Sequence, residues 1–272
     1  RMFFIPTSSI LRAGVQDSIG MNRANMGMFS IGLGYKPQAL GKSSIAMGWG
    51  SKALGAHAIA IGHKNTTGNS VNTGGIVIGI DNRLDSTPGQ AQDAIGIGTV
   101  NKIKGDRAKI FGGNNIIAGE EAGIFGNQNL MGDSASTTNT GNAAGSYIIG
   151  NINTVGQAGG AYVMGFSNVV TDRGNASYTI GNNNTMDGPG GITLGTQNQI
   201  RPTSGIAIGN VVTVDSTSNF SIGVNLSNSP MTVKDPNIMS IQGGNVSIGA
   251  DSDKFAQGGG YDPEGNLYAV SY

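Results

Sequence analysis

Two histidines, His57 and His63, are the only imidazoles in the chain, and no cysteine accompanies them. A zinc site draws three or four nitrogen, sulfur or carboxylate ligands together, so this pair is a poor set and both histidines read as surface residues. A Ser/His/acid triad would need an activated serine, and no nucleophile elbow surrounds any serine here. Carboxylates are sparse, and no Asp-rich loop resembles an EF-hand or a calcium-binding nonapeptide repeat. The triplet at 258–260 has no Gly-Lys-Ser/Thr and no helix pattern after it, so it is not a phosphate loop. Neither an enzyme nor a cofactor or metal site is expected.

What remains are residues suited to surface contact. Trp49 is the only tryptophan and directly follows Gly48, in a place where side chains tend to point outward. Exposed, it would suit a sugar face or a protein hot spot; packing against a neighbouring coil is the alternative. Four long gaps in the pattern described below mark insertions at 66–74, 85–93, 133–145 and 227–243. The third, DSASTTNTGNAAG, is polar. The fourth, SNSPMTVKDPNIMSIQG, is rich in apolar residues that either dock back on the scaffold or meet a partner. Receptor contacts are therefore expected at Trp49, Thr137, Asn139, Met231, Lys234, Asn237 and Met239.

The element that must carry these residues is a repeat. A short apolar alternation closed by glycine occurs fifteen times, from DSIG ending at Gly20 to NVSIG ending at Gly249, mostly at fourteen-residue spacing. Before each glycine stands a large apolar residue (Leu33, Met47, Ile61, Phe111, Ile180), and two residues earlier a second apolar column contains Tyr147, Tyr162 and Tyr178. Period-two alternation predicts a short strand with one face buried. These two columns are assigned inward, which makes the tyrosines a stacked core, and the glycine forms the corner. Three residues after the glycine an asparagine column runs through Asn65, Asn82, Asn101, Asn115, Asn129, Asn153, Asn168, Asn184 and Asn198. Stacked coils would turn it into an amide ladder. Two residues further, Leu84, Ile103, Ile117, Met131 and their counterparts predict a second short strand.

Composition agrees with a solenoid. The chain has 272 residues, of which 47 are glycine and 12% are charged. So much glycine would suggest low complexity were it not periodic. Side-chain burial inside one fourteen-residue coil falls short of the cost of ordering fourteen backbones, so an obligate oligomer is expected. Formal net charge is zero, and no contiguous Lys/Arg block suggests nucleic acid or a membrane surface. The densest run, Lys102 to Lys109, is interrupted by Asp106. No apolar stretch is long enough to span a bilayer, and the first fourteen residues are too short and mixed for a signal peptide. The chain reads as an internal piece of a longer protein: a lead-in at 1–14, a repeat region at 15–249, and a connector or start of a stalk at 250–272.

The segments SIAMGWGSKALGAHAIAIGHKN (44–65) and SYTIGNNNTMDGPGGITLGTQNQI (177–200) resemble the head repeats of trimeric autotransporter adhesins, the YadA-like heads, the second segment in an asparagine-rich variant. The likeness extends over about residues 15–249. It implies an all-β, left-handed parallel β-roll of about fifteen coils, assembled as a side-by-side homotrimer on the outer membrane of a Gram-negative bacterium. The head would attach to a host cell-surface glycoprotein, a glycan or an extracellular-matrix protein, and any membrane link would run through an anchor outside this chain. Phage fibres that bind bacterial glycans use similar repeats, and a passive spacer is a further alternative. Hexapeptide acyltransferases and ice-binding solenoids fit less well, because the unit is fourteen residues and threonine is scattered. The zero net charge gives no electrostatic indication of the receptor.

Overall fold

The computed structural model describes residues 2–22, 24–68, 73–85, 91–132, 143–215, 221–227 and 229–243. It is a β-solenoid, and among the described residues helix is limited to one turn at Ser18–Met21 and a 3-10 turn at Pro6–Ser8. Each coil has a long strand, a corner, a short strand and a return turn. Long strands such as Ile95–Thr99, Lys109–Gly113 and Gly123–Asn127 stack in parallel into one sheet of sixteen. Short strands such as Lys102–Ile103 and Ile116–Ile117 stack into a sheet of ten, with a separate pair near the start of the chain. Both kinds of strand are present in about twelve turns, fewer than the fifteen motif copies suggest.

The difference in number has identifiable causes. DSIG at 17–20 is not a strand: it overlaps the helical turn, and Gly14 is the residue in register with Gly34. At the other end Gly223 pairs with Ala207, and Asn225 stands beside Gly209 in the corner-glycine column. Gly249 lies outside the described residues. The stretch 227–243, expected as an inserted loop, supplies Met231–Val233 to the short-strand sheet and Met239–Gln242 to the long-strand sheet. It is one more coil.

Register keeps like on like. Gly98, Gly112, Gly126 and Gly150 are successive partners, even across the insertion after Gly132. A Cβ on Gly126 would lie 1.8 Å from the carbonyl oxygen of Gly150, and its φ is +141°. Only glycine permits this approach. Two residues later the corner is left-handed, as at Lys36, Lys64, Val100, Ile152 and Val211. The amide there donates to the preceding coil, as Val100 does to Ile80 O at 2.8 Å.

The asparagine ladder is continuous and buried. The Nδ2 of Asn115 donates to Asn101 Oδ1 (3.1 Å) and Gly126 O (2.7 Å), while its Oδ1 accepts from N and Nδ2 of Asn129 (both 3.0 Å). Each amide thus ties three coils together.

The facing of the long strands is the reverse of that expected. The residue between the two large columns points inward: Ala46, Ala60, Val77, Ile110, Ile124 and Ile148 are fully buried, opposite Leu84, Ile103, Ile117 and Met131 of the short strands. The large columns point out, with Tyr147 40%, Tyr162 44% and Tyr178 49% exposed. The coil is narrow, and one inward residue from each strand fills it. The long strand contributes least at Gly96, where a Cβ would meet Ile103 Cδ1 at 3.1 Å, whereas Ile110 and Ile117, or Ile124 and Met131, fit together.

At the N-terminal end Met2–Ile5 folds back antiparallel on Ile10–Val15, which joins the long-strand sheet. Arg12 occupies the inward position and fills the first turn beside Gly32. Its guanidinium donates to Ser30 O (3.1 Å), Ser30 Oγ (2.9 Å) and Ala39 O (2.7 Å), and burial lowers its pKa.

Candidate functional site

Three outward columns form the outer face of the long-strand sheet. The one just before the glycine contains Phe125, Ile149, Met164 and Ile180, with Ile149 49% and Met164 47% exposed. The one two residues earlier contains the tyrosines, whose rings stack at 5.7 Å (Tyr147 on Tyr162) and 5.2 Å (Tyr162 on Tyr178). Phe111 stacks on Phe125 at 5.0 Å. The column just before the glycine is apolar in coil after coil, and the one two residues earlier is apolar or aromatic except at Lys109 and Gly123, so the face is an apolar stripe along the rod. Single exposed apolar residues are ordinary, whereas a contiguous stripe of this kind marks an interaction surface.

The third outward column, just after the glycine, holds Tyr35, Trp49 and His63 in successive coils. Trp49 is 43% exposed and lies between the other two rings, 5.7 Å from Tyr35 and 4.5 Å from His63. It is both exposed and packed on the neighbouring coils. Lys64 sits 5.1 Å above its ring, and Lys36 5.2 Å above Tyr35. This aromatic and cationic ladder was not legible as a unit, since its members are fourteen residues apart; the fourteen-residue period applied to the position after the glycine would have found it.

The other expected contacts are not brought together with Trp49. Thr137 and Asn139 lie outside the described residues. Met231 is buried against the core in the short-strand sheet, opposite Val212, so its side chain faces no receptor. Lys234 and Asn237 are exposed on the last described coil. Met239 is 60% exposed and stands in the outward column beside Ile222, where it extends the apolar stripe.

His57 and His63 occupy different parts of the coil. His57 is an exposed left-handed turn residue, and His63 caps the Trp49 stack. Among the described residues no group of three or more His, Cys, Asp or Glu side chains is placed to hold a metal ion.

Comparison of the sequence with curated proteins finds no match. Comparison with family models matches residues 39–65 to the YadA head domain repeat in two copies. That segment runs through the strands Ile45–Trp49, Lys52–Ala53 and Ile59–His63. It includes the Trp49 stack. The chain therefore carries YadA-like head repeats, of the kind found in trimeric autotransporter adhesins.

Proposed function

We propose that this chain is the head of a homotrimeric adhesin displayed on the outer membrane of a Gram-negative bacterium, attaching the cell to host surfaces by multivalent contact. The observation that carries the reading is the apolar stripe. Phe125, Tyr147, Ile149, Tyr162, Met164 and Ile180 lie on one face of a rigid rod, a surface of the composition that a partner buries and water does not favour. Two further copies of the same chain, packed side by side about a common axis, would cover it along its whole length. The YadA-like head repeats at 39–65 support the same assembly and the adhesive role.

The mechanism is presentation. Assembly leaves the short-strand sheet and its corners facing outward, each in three copies. Three weak sites held at fixed spacing can raise avidity by about a hundredfold or more when a surface engages them together. The test uses the full chain coupled to beads, applied to cultured epithelial cells and to immobilised matrix proteins. Attachment above albumin-coated beads, lost with a stripe variant that cannot assemble, is the expected result. Equal attachment by chain and albumin would remove the adhesive reading.

A further inference from the structure

The zero net charge hides a segregation. Residues 18–80 contain Arg23, Lys36, Lys42, Lys52 and Lys64 and no aspartate or glutamate. In sequence these cations are scattered. Coiling gathers several of them: Lys36 and Lys64 occupy the same left-handed corner position, two coils apart. Lys52 and Arg83 face outward in the adjoining short-strand column, with Thr66 bridging between them, and Lys102 pairs with Arg83 in the next coil. Read along the stack, Lys36, Lys52, Lys64, Arg83 and Lys102 place one cation on each of five consecutive coils, the first four alternating between two neighbouring columns and Lys102 following Arg83 in the short-strand column.

These groups are available. Lys36, Lys52, Lys64 and Arg83 are exposed and Lys102 is half-buried. None forms an ion pair among the described residues, whereas Arg107, Arg173 and Arg201 each meet a carboxylate one coil on, at 2.8, 3.5 and 2.8 Å. Two acids lie on the Arg83 coil: Asp81 at its corner and Asp85 just past its short strand. The Tyr35 and Trp49 rings beneath Lys36 and Lys64 reduce the freedom of both ammonium groups, which lowers the ordering cost of binding.

We propose that this ridge binds a sulfated linear polysaccharide lying along the rod. The proposal rests on the adhesive reading above and names the ligand class of that head. Lys36 and Lys64, and likewise Lys52 and Arg83, recur at every second coil, at about 10 Å, the step from one disaccharide to the next along an extended glycan chain. The ridge is one cation wide and straight, and it follows a single strand of charge. Thr66 places a hydroxyl between Lys52 and Arg83 that can pair with sugar hydroxyls. A duplex nucleic acid would need a broader basic field. A membrane surface would need a broad apolar field around the cations, and the long apolar columns lie on the long-strand sheet, away from Lys52 and Arg83 on the short-strand sheet.

The experiment measures binding of the full chain to immobilised heparin near physiological ionic strength, with desulfated heparin and duplex DNA as comparison ligands. The expected result is salt-sensitive binding to heparin that desulfation abolishes. The variant K36Q/K52Q/K64Q/R83Q weakens it by at least about tenfold while keeping the solution mass of the parent. A second variant needs no loss of function: Asp81→Lys extends the ridge, at a corner where Lys36 and Lys64 already tolerate the same backbone, and tightens binding. Absence of heparin binding, indifference to both variants, or equal binding to DNA would overturn the proposal. Beads that attach equally well to cells lacking sulfated glycans would overturn it too and leave the adhesive reading standing. Failure to attach to any cell would count against that reading instead.

Discussion

Replacing Asn115 by alanine tests whether the buried amide ladder holds the coils together. The substitution removes four side-chain hydrogen bonds, two donated by Nδ2 and two accepted by Oδ1. Two neighbours are partly compensated: Asn101 Oδ1 still accepts from the Asn115 amide (3.1 Å), and Asn129 Nδ2 still donates to Gly150 O (2.7 Å). The Asn129 amide and the Gly126 carbonyl lose these partners inside the protein. At about 1–3 kcal/mol for each buried polar group left without its partner, the loss is about 2–6 kcal/mol. Asn182→Ala is the control, because Asn182 is an exposed outward residue whose side chain holds no rung of the ladder; its cost should stay within about 0.5 kcal/mol. Urea unfolding followed by circular dichroism, at one fixed protein concentration because assembly contributes to stability, gives both numbers. An Asn115→Ala loss below about 1 kcal/mol, comparable with the control, would refute the ladder as a main source of cohesion.

Three other perturbations address different parts of the coil. Gly126→Ala places a methyl 1.8 Å from the Gly150 carbonyl and should abolish soluble folded protein, whereas Gly145→Ala, with nothing within 4 Å, should fold; expression and circular dichroism distinguish the two. Ile152 is a β-branched residue held at φ +58° and 43% exposed, so Ile152→Asn, which relieves a left-handed strain of about 1–2 kcal/mol, should raise the urea midpoint. Arg12→Met keeps the length of the buried side chain and removes its donors to Ser30 and Ala39; hydrogen exchange should quicken at residues 10–15 and stay unchanged beyond Gly98.

Much of the scaffold could be read from the residues alone, since stacking makes like columns touch. The fourteen-residue period, the two strands per coil and the ladder through Asn65 to Asn198 all follow from alignment on one glycine. Which face of the long strand is buried did not follow. Alternation in Ile45-Ala46-Met47 says that two faces differ, and the larger residues were assigned to the interior. The interior of so narrow a coil takes one residue from the long strand, as small as Gly96 or as large as Ile124, because the short strand fills it from the other side, and the two flanking columns are left for a surface. The coil at 227–243 was missed because its marker is absent: Asn225 and then Gln242 stand in the corner-glycine column, and Gly223 lies two residues out of register. The cationic ridge was equally hidden, since Lys36, Lys52, Lys64, Arg83 and Lys102 become neighbours only once insertions are removed from the register. Of the residues expected at the surface, the exposure of Trp49 followed from its place after the corner glycine, while Met231, chosen for its position in a presumed loop, is buried in the core.

The central claim is that the apolar stripe is an interface between copies of this chain, and the most direct test is the mass of the purified chain in solution by light scattering, together with the variant Ile149→Lys/Ile180→Lys. The account predicts a mass near three times 27.6 kDa that persists on dilution, and dissociation or insolubility of the variant, since each lysine would place an unpaired charge in an apolar interface. A parent chain that remains a stable, soluble monomer of 27.6 kDa with the stripe intact would contradict it.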